Sequence, residues 1–193
     1  MNELIRRRGL MSRDALPYDA QVEYLESTGL ENISIDVIVD DYTTVRVGFM
    51  LLETTAQIRP WSMINPELYI SNQNKFSYYI GSPHPTTLTP ATQVLYESNY
   101  SFAALSGAVD SIPVACQAHT NGQKVLSIFG RETGVYKCSM RCYSVKVWGF
   151  GETKVDAIPV RVGQVGYMYD RVSGQLFGNT SGLGGFILGH DVQ

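Results

Sequence analysis

The stretch that decides the fold class is residues 140–192, which read MRCYSVKVWGFGETKVDAIPVRVGQVGYMYDRVSGQLFGNTSGLGGFILGHDV. In its first part, Tyr143, Val145 and Val147 alternate with more polar positions, and Trp148 falls on the polar side. This period of two is typical of a half-buried strand. Glycine-containing turns then separate several further extended runs. The stretch therefore predicts a series of short antiparallel strands.

One of these runs, residues 155–162, contains Pro159. Proline has no backbone N–H to donate to a neighbouring strand. The run is therefore predicted to be an edge strand, or to be bulged at the proline.

Two regions of the sequence resemble a known family. The segments are 16–29 (LPYDAQVEYLESTG), 143–148 (YSVKVW), 156–179 (DAIPVRVGQVGYMYDRVSGQLFGN) and 182–189 (GLGGFILG). They resemble the opening strand and the last strands of the concanavalin A-like, laminin-G-like jelly-roll family. The resemblance implies a two-sheet antiparallel jelly-roll sandwich. Because such modules are frequent in surface, tail and virion proteins of gut bacteria and their phages, it also implies a structural or adhesive role.

The rest of the sequence agrees with an all-β class. Alternating runs separated by Asn, Gly and Pro turns predict about 12–14 short strands in one domain, residues 16–193. Residues 81–90 (GSPHPTTLTP) contain three prolines and are predicted to be a surface loop. Cys138 and Cys142 lie about 13 Å apart along a strand, too far for a disulfide bond. These two cysteines and Cys116 are predicted to be free and buried.

Residues 1–15 are predicted to form a separate docking arm, with helix confined mainly to it. Residues 1–13 hold four arginines and one glutamate, a net charge of +3. Because the whole chain has a net charge of −3, the remaining residues carry −6. A basic segment on an acidic body can dock on an acidic partner, a nucleic acid or a membrane surface. We expect a protein partner, bound through Leu4, Ile5, Arg6, Arg7, Arg8, Leu10 and Met11.

Two targeting signals are not found in the sequence. No apolar run reaches the roughly 18 residues of a membrane span. No apolar core of about 7–15 residues follows Arg8, as it would in a secretory signal. We therefore expect synthesis in the host cytoplasm and residence in a virion, with a bacterial surface or extracellular location as the alternative.

The sequence offers little support for catalysis or for a cofactor. A retaining glycoside hydrolase needs two carboxylates about 5–5.5 Å apart on one cleft. Glu31 and Asp36 have opposite strand parity, and no such pair is evident. His84, His119 and His190 are isolated in turn-rich segments, so no metal site is predicted. The acidic turns at Asp40-Asp41 and Asp170 offer calcium ligands, although most acidic turns bind no metal.

Sugar binding is the second functional interpretation. Lectin sites place an aromatic ring against the apolar face of a sugar and hold its hydroxyls with polar groups. The candidate rings are Trp61, Tyr79 and Trp148. For Tyr79 the reason is that one member of the Tyr78-Tyr79 pair must face outward in a regular strand.

The sequence thus predicts a non-catalytic structural or adhesive component of a phage virion, such as a capsid decoration, head fibre or tail protein. We expect it to be oligomeric in that assembly, with other virion proteins as partners and a glycan as a further ligand. A lectin-like carbohydrate-binding module is the alternative, and a glycoside hydrolase is the third candidate.

Overall fold

The structure, a computed structural model, describes residues 16–116, 122–131, 133 and 135–193. The predicted arm, residues 1–15, lies outside these ranges, as do its seven predicted contact residues. Within the described ranges the chain forms 17 strands and no helix. The predicted all-β class is therefore confirmed.

The strands are short, apart from two that contain 11 residues each. In chain order they are β1 (Ala20–Gln21), β2 (Leu25–Thr28), β3 (Ile33–Val39), β4 (Thr44–Leu51), β5 (Trp61–Ser62), β6 (Glu67–Ile70), β7 (Phe76–Tyr79), β8 (Pro83–Pro85), β9 (Leu95–Ser101), β10 (Ser106–Val109), β11 (Ile112–Ala115), β12 (Gly122–Ile128), β13 (Ser139–Gly149), β14 (Glu152–Val162), β15 (Val165–Asp170), β16 (Leu176–Phe177) and β17 (Ile187–Leu188).

These strands form two antiparallel sheets. The larger has the order β11-β10-β9-β4-β13-β14-β15-β16, with β2 beside β13, β17 beside β2, and β1 beside β14. The smaller has the order β3-β12-β5-β6-β7-β8. The two-sheet antiparallel arrangement was predicted, and the jelly-roll connectivity stays a prediction.

One apolar core lies between the sheets. In β4, the side chains of Val45, Val47, Phe49 and Leu51 are all buried. The inner positions of β3 and β12 and those of β13 join the same cluster. The strand alternation seen in the sequence therefore separates an inner apolar face from an outer polar face in each sheet.

Two large side chains join the sheets across this core. The hydroxyl of Tyr78, in the smaller sheet, lies 2.7 Å from the carbonyl oxygen of Asn99 and 2.8 Å from that of Ala108, both in the larger sheet. Its ring fills the space above Gly107, where a Cβ would lie only 2.6 Å from the ring carbon Cδ2. Trp61 Nε1 donates to Ser98 Oγ at 2.8 Å. Both contacts fix how the two sheets are aligned.

The two regions that carry the family resemblance lie next to each other in the structure. Strand β1 pairs with β14, and β2 pairs with β17. An isolated bridge joins Val22 to Asp191. Segments from the two ends of the described chain therefore complete one part of the larger sheet together.

A buried carboxylate organises this junction. Glu31 is fully buried, and its side chain accepts hydrogen bonds from the Ser27 hydroxyl (3.0 Å) and the Thr28 N–H (2.8 Å). Burial acts to raise the pKa of Glu31, but these donors hold it below its ordinary value. Gly184, with φ +67°, packs against it, since a Cβ there would lie 3.0 Å from Glu31 Cδ and closer still to Oε1.

The prediction for Pro159 is wrong. Strand β14 lies inside the sheet, between β15 on one side and β13 followed by β1 on the other. The carbonyl oxygen of Pro159 accepts the N–H of Val22 at 3.0 Å. Because the N–H and C=O of one residue point the same way in an antiparallel strand, the missing donor faces the end of β1. The irregularities lie elsewhere: Lys154 is the extra residue of β14 in its pairing with β13, and Tyr143 is the extra residue of β13 in its pairing with β4.

Two details of the middle of the chain also differ from the prediction. The predicted loop 81–90 contains strand β8, which pairs with β7 at an edge of the smaller sheet. Prolines are tolerated there because an edge strand has one side without a partner. Strand β10 has no predicted counterpart, since Ser106-Gly107 lacks the large apolar residues that mark a strand. The three cysteines are free, as predicted, but only Cys138 and Cys142 are buried, whereas Cys116 is partly exposed.

Candidate functional site

Of the three predicted sugar-binding rings, Trp61 is ruled out. Its side chain is 0% exposed, and the indole N–H bonds to Ser98 in the opposite sheet. The ring lies on the inner face because Trp61 pairs with Ile128 and Leu68, which are themselves core residues. A ring enclosed by both sheets cannot stack against a sugar, so this prediction is wrong.

Tyr79 lies half-buried on the outer face of the smaller sheet and Tyr78 faces the core, so one member of the pair faces outward, as predicted. It is part of a cluster built around Glu67, which is fully buried. Arg59 Nε lies 2.7 Å and Arg131 Nε 2.8 Å from Glu67 Oε2. The Arg59 guanidinium also stacks on the ring of Tyr136 at 3.7 Å. This cluster holds the segment around Tyr136 onto the sheet.

The charge state of Glu67 follows from these neighbours. Burial acts to raise its pKa, but the hydrogen bond from Arg131 and the charge of Arg59 hold it below its ordinary value of 4.5. The carboxylate is thus ionised at neutral pH and shared between two arginines. Its role in the structure is to hold charge partners in place, since a carboxylate bound in this way does not exchange protons at neutral pH.

Trp148 lies on the outer face of the larger sheet, as the alternation predicted. It lines an open pocket of about 320 Å³ together with Arg46, Lys146, Gly151, Glu152 and Thr153. We call this the Trp148 pocket. Three adjacent strands, β4, β13 and β14, supply its floor, and the turn between β13 and β14 supplies its rim. Because all three strands are inside the sheet, the pocket rests on a rigid support.

Strand register explains which side chains meet in the pocket. One row across the sheet runs Ser101, Thr44, Trp148, Thr153, and the next runs Asn99, Arg46, Lys146, Asp156. The first row places the indole beside a hydroxyl on each side. The second places two cations directly beside each other on neighbouring strands.

Arg46 is held in place by two neighbours. Its guanidinium carbon lies 5.1 Å from the centre of the Trp148 ring, within range of a cation–π interaction. Its Nε lies 3.4 Å from Glu97 Oε1. Within the part of the chain that the structure describes, the Arg46 guanidinium forms no hydrogen bond, and its side chain is 43% exposed. Its N–H donors are therefore accessible to a ligand.

Glu97 and Asp156, on strands to either side of the Trp148 pocket, are too far apart to form a catalytic pair. Glu97 pairs with Arg46, and Asp156 lies 2.7 Å from Arg171 Nη2. They are on β9 and β14, three strand spacings or about 14 Å apart. Both mechanisms of glycoside hydrolysis use carboxylates about 5–9.5 Å apart.

No metal centre is evident among the residues that the structure describes, where no group of three or more His, Cys, Asp or Glu side chains is placed to hold an ion. Of the acidic turns, Asp40 pairs with Lys154. Asp170 is buried and accepts the Ser173 hydroxyl at 2.6 Å and the Asp156 N–H at 2.8 Å, so it caps the turn after β15.

The described ranges also contain no helix long and apolar enough to cross a membrane.

Phe150, in the turn that forms the rim of the Trp148 pocket, contacts Tyr42 in the turn between β3 and β4. The rings of Tyr42 and Phe150 are 4.0 Å apart, and the two residues are 54% and 70% exposed. Ile38, on β3 of the smaller sheet, is also exposed, at 71%.

The sequence identified Trp148 but neither Arg46 nor Lys146. All three occupy polar-facing positions of their strands, which was a usable signal. Their proximity depends on the pairing of β4 with β13, strands about a hundred residues apart.

No protein-family model matches the sequence, and no curated protein matches it either.

Proposed function

We propose that the protein is a non-catalytic adhesive and structural component of a phage virion, such as a capsid decoration, head fibre or tail protein. In this proposal the jelly-roll sandwich binds a carbohydrate through the Trp148 pocket and docks through residues 1–15. The observation that carries the adhesive function is the pocket itself: an open site on a rigid sheet, with an aromatic wall and free hydrogen-bond donors.

The composition of the pocket favours a sugar. Sugar hydroxyls need both donors and acceptors, and the pocket supplies Lys146 and Arg46 as donors with Glu152 and Thr153 as acceptors. Its volume of about 320 Å³ is near the lower end of the range for ligand sites, which suits one sugar ring. The pocket lining contains one carboxylate, that of Glu152, whereas glycoside hydrolysis uses two, and this supports binding without hydrolysis.

The virion context is supported by the family resemblance of residues 16–29 and 143–189. Docking through the arm is supported by its charge, which is opposite in sign to that of the rest of the chain. The lectin-like module without a virion remains the second candidate, and it shares the same pocket.

The adhesive function is tested by glycan binding to the intact protein. We expect binding of at least one glycan on an immobilised panel, and Trp148→Ala should weaken it by about tenfold or more. Tyr143→Ala is the matched control, because Tyr143 is on the outer face of the same strand but does not line the pocket. Equal loss in both variants would argue against the pocket, as would the absence of any bound glycan.

The docking function is tested by deleting residues 1–15. We expect the sandwich to keep its melting temperature and to lose incorporation into the particle. Replacing Arg6, Arg7 and Arg8 with alanine should weaken docking at low salt. The difference from the unsubstituted protein should become smaller as the salt concentration rises, because salt screens exposed charges. Normal incorporation of the truncated protein would contradict the proposal.

A further inference from the structure

We propose that the Trp148 pocket selects an acidic sugar, a hexuronic acid residue whose carboxylate is bound by Arg46 and Lys146. This inference rests on the proposed carbohydrate-binding function and names the class of sugar. It depends on three features of the pocket: a guanidinium beside the Trp148 ring, a neighbouring lysine without an ion partner in the described part of the chain, and a single acidic group on the rim.

The first feature is the guanidinium of Arg46. It lies 5.1 Å from the centre of the Trp148 ring and pairs with Glu97 at 3.4 Å, so both neighbours favour a position beside the pocket. Its N–H donors form no hydrogen bond within the described part of the chain. Arginine binds carboxylates through two parallel N–H···O bonds, and fixing the group beforehand reduces the entropy lost on binding.

The second feature is the cation pair. Arg46 and Lys146 are direct cross-strand partners, an arrangement that destabilises a sheet when the charges are alike. The other cross-strand partner of Lys146 is Asp156, but that carboxylate is bonded to Arg171. In the described part of the chain, no ion pair or hydrogen bond involves the Lys146 ammonium. Glu97 offsets part of the charge of Arg46, and an anion bound between Arg46 and Lys146 would offset the repulsion that remains.

The third feature is the position of Glu152 on the rim of the pocket. An exposed carboxylate there accepts hydrogen bonds from sugar hydroxyls and repels a second negative charge. Arg46 and Lys146 against Glu152 leave the lining with a net charge of +1. One carboxylate per sugar ring matches this balance, which is the composition of a hexuronic acid.

An acidic peptide fits less well than a sugar. Extended peptides bind well to free strand edges, where backbone groups are unpaired. The strands beneath the pocket, β4, β13 and β14, each have neighbours on both sides. The negative charge of the rest of the chain does not prevent binding of an acidic sugar, since charges more than about 8 Å away are largely screened at physiological salt.

The test uses matched pairs of methyl glycosides that differ only at C6: glucuronide against glucoside, and galacturonide against galactoside. Binding to the intact protein is followed by amide chemical shifts in NMR titrations at low and high salt. In at least one pair the acid should bind about tenfold more tightly than the neutral sugar, and high salt should reduce the difference. Arg46→Ala and Lys146→Gln should each reduce this preference for the acid, whereas Lys75→Gln, which removes a cation just before β7 and away from the pocket, should not.

Lys146→Gln provides a second readout that a purely structural role would not give. It should leave the melting temperature of the free protein unchanged or slightly higher, because it removes the repulsion with Arg46, while it weakens binding of the acid. Equal binding of acidic and neutral sugars would overturn the inference and leave the proposed function intact. Binding of no sugar would refute both, and binding of poly-glutamate alone would assign the pocket to an acidic peptide and overturn the inference.

Discussion

Replacing Gly184 with alanine would place a methyl group against the buried carboxylate of Glu31. The new Cβ would lie 3.0 Å from Glu31 Cδ and closer still to Oε1, a separation that side chains do not tolerate. Gly182 is a matched control in the same loop. Its φ of +69° is close to the +67° of Gly184, but a Cβ there would meet no atom within 4 Å.

The expected magnitudes follow from this difference. Alanine in the left-handed region costs about 1–2 kcal/mol, and that cost is common to both variants. At position 184 the Glu31 carboxylate must also move away from the Ser27 hydroxyl and the Thr28 N–H, and a hydrogen bond to a charged group contributes about 1.5–3 kcal/mol. We therefore expect Gly182→Ala to lower the free energy of unfolding by about 1–2 kcal/mol, and Gly184→Ala by about 3–5 kcal/mol.

The assay is urea unfolding at pH 7, with equal slopes in both variants as the sign of unchanged cooperativity. A double-mutant cycle separates the contact from general strain. In a Glu31→Ala background the extra cost at position 184 should disappear, because no carboxylate remains to be displaced. If Gly184→Ala and Gly182→Ala were equally destabilising, or if the excess persisted without Glu31, the packing argument would be refuted.

Two further predictions concern groups that the site does not use. Glu67→Gln should lower the free energy of unfolding by about 3–5 kcal/mol at pH 7, because it leaves Arg59, only 5% exposed, without its charge partner. The pKa of Glu67 is lower in the folded protein than in the unfolded chain, so its ionised carboxylate stabilises the fold above about pH 4.5. This stabilisation is lost as pH falls through the folded pKa. Between neutral and acid pH, Glu67→Gln should therefore lose less stability than the unsubstituted protein. Trp61→Phe should cost about 2–3 kcal/mol through the lost bond to Ser98 and the smaller ring, and should leave glycan affinity unchanged; weaker glycan binding by this variant would contradict the placement of Trp61 in the core.

Local patterns were enough to predict the fold class. The alternation in β3, β4 and β13 is a property of neighbouring residues, so it is visible without knowing which strands pair. The same parity predicted that Trp148 faces outward. Trp61 was misplaced because β5 has only two residues and shows no alternation to interpret.

Other features depend on long-range pairing and had no local signal. The proximity of Arg46 to Lys146 follows from the register of β4 on β13. Pro159 fits inside the sheet because β1 pairs with β14 next to it, and β1 comes from the opposite end of the chain. The Glu67 cluster joins residues 59, 67 and 131, which only the folded sheet brings together.

The pairing of β1 with β14 also has a mechanical consequence. Ala20 lies opposite Arg161, whereas the Trp148 pocket lies opposite Thr153, eight residues or about 25 Å away along the same strand. A pull between residue 16 and a ligand in the pocket would therefore run along the strand axis. Hydrogen bonds between antiparallel strands are perpendicular to that axis, so they would be loaded in shear and share the force rather than open one by one.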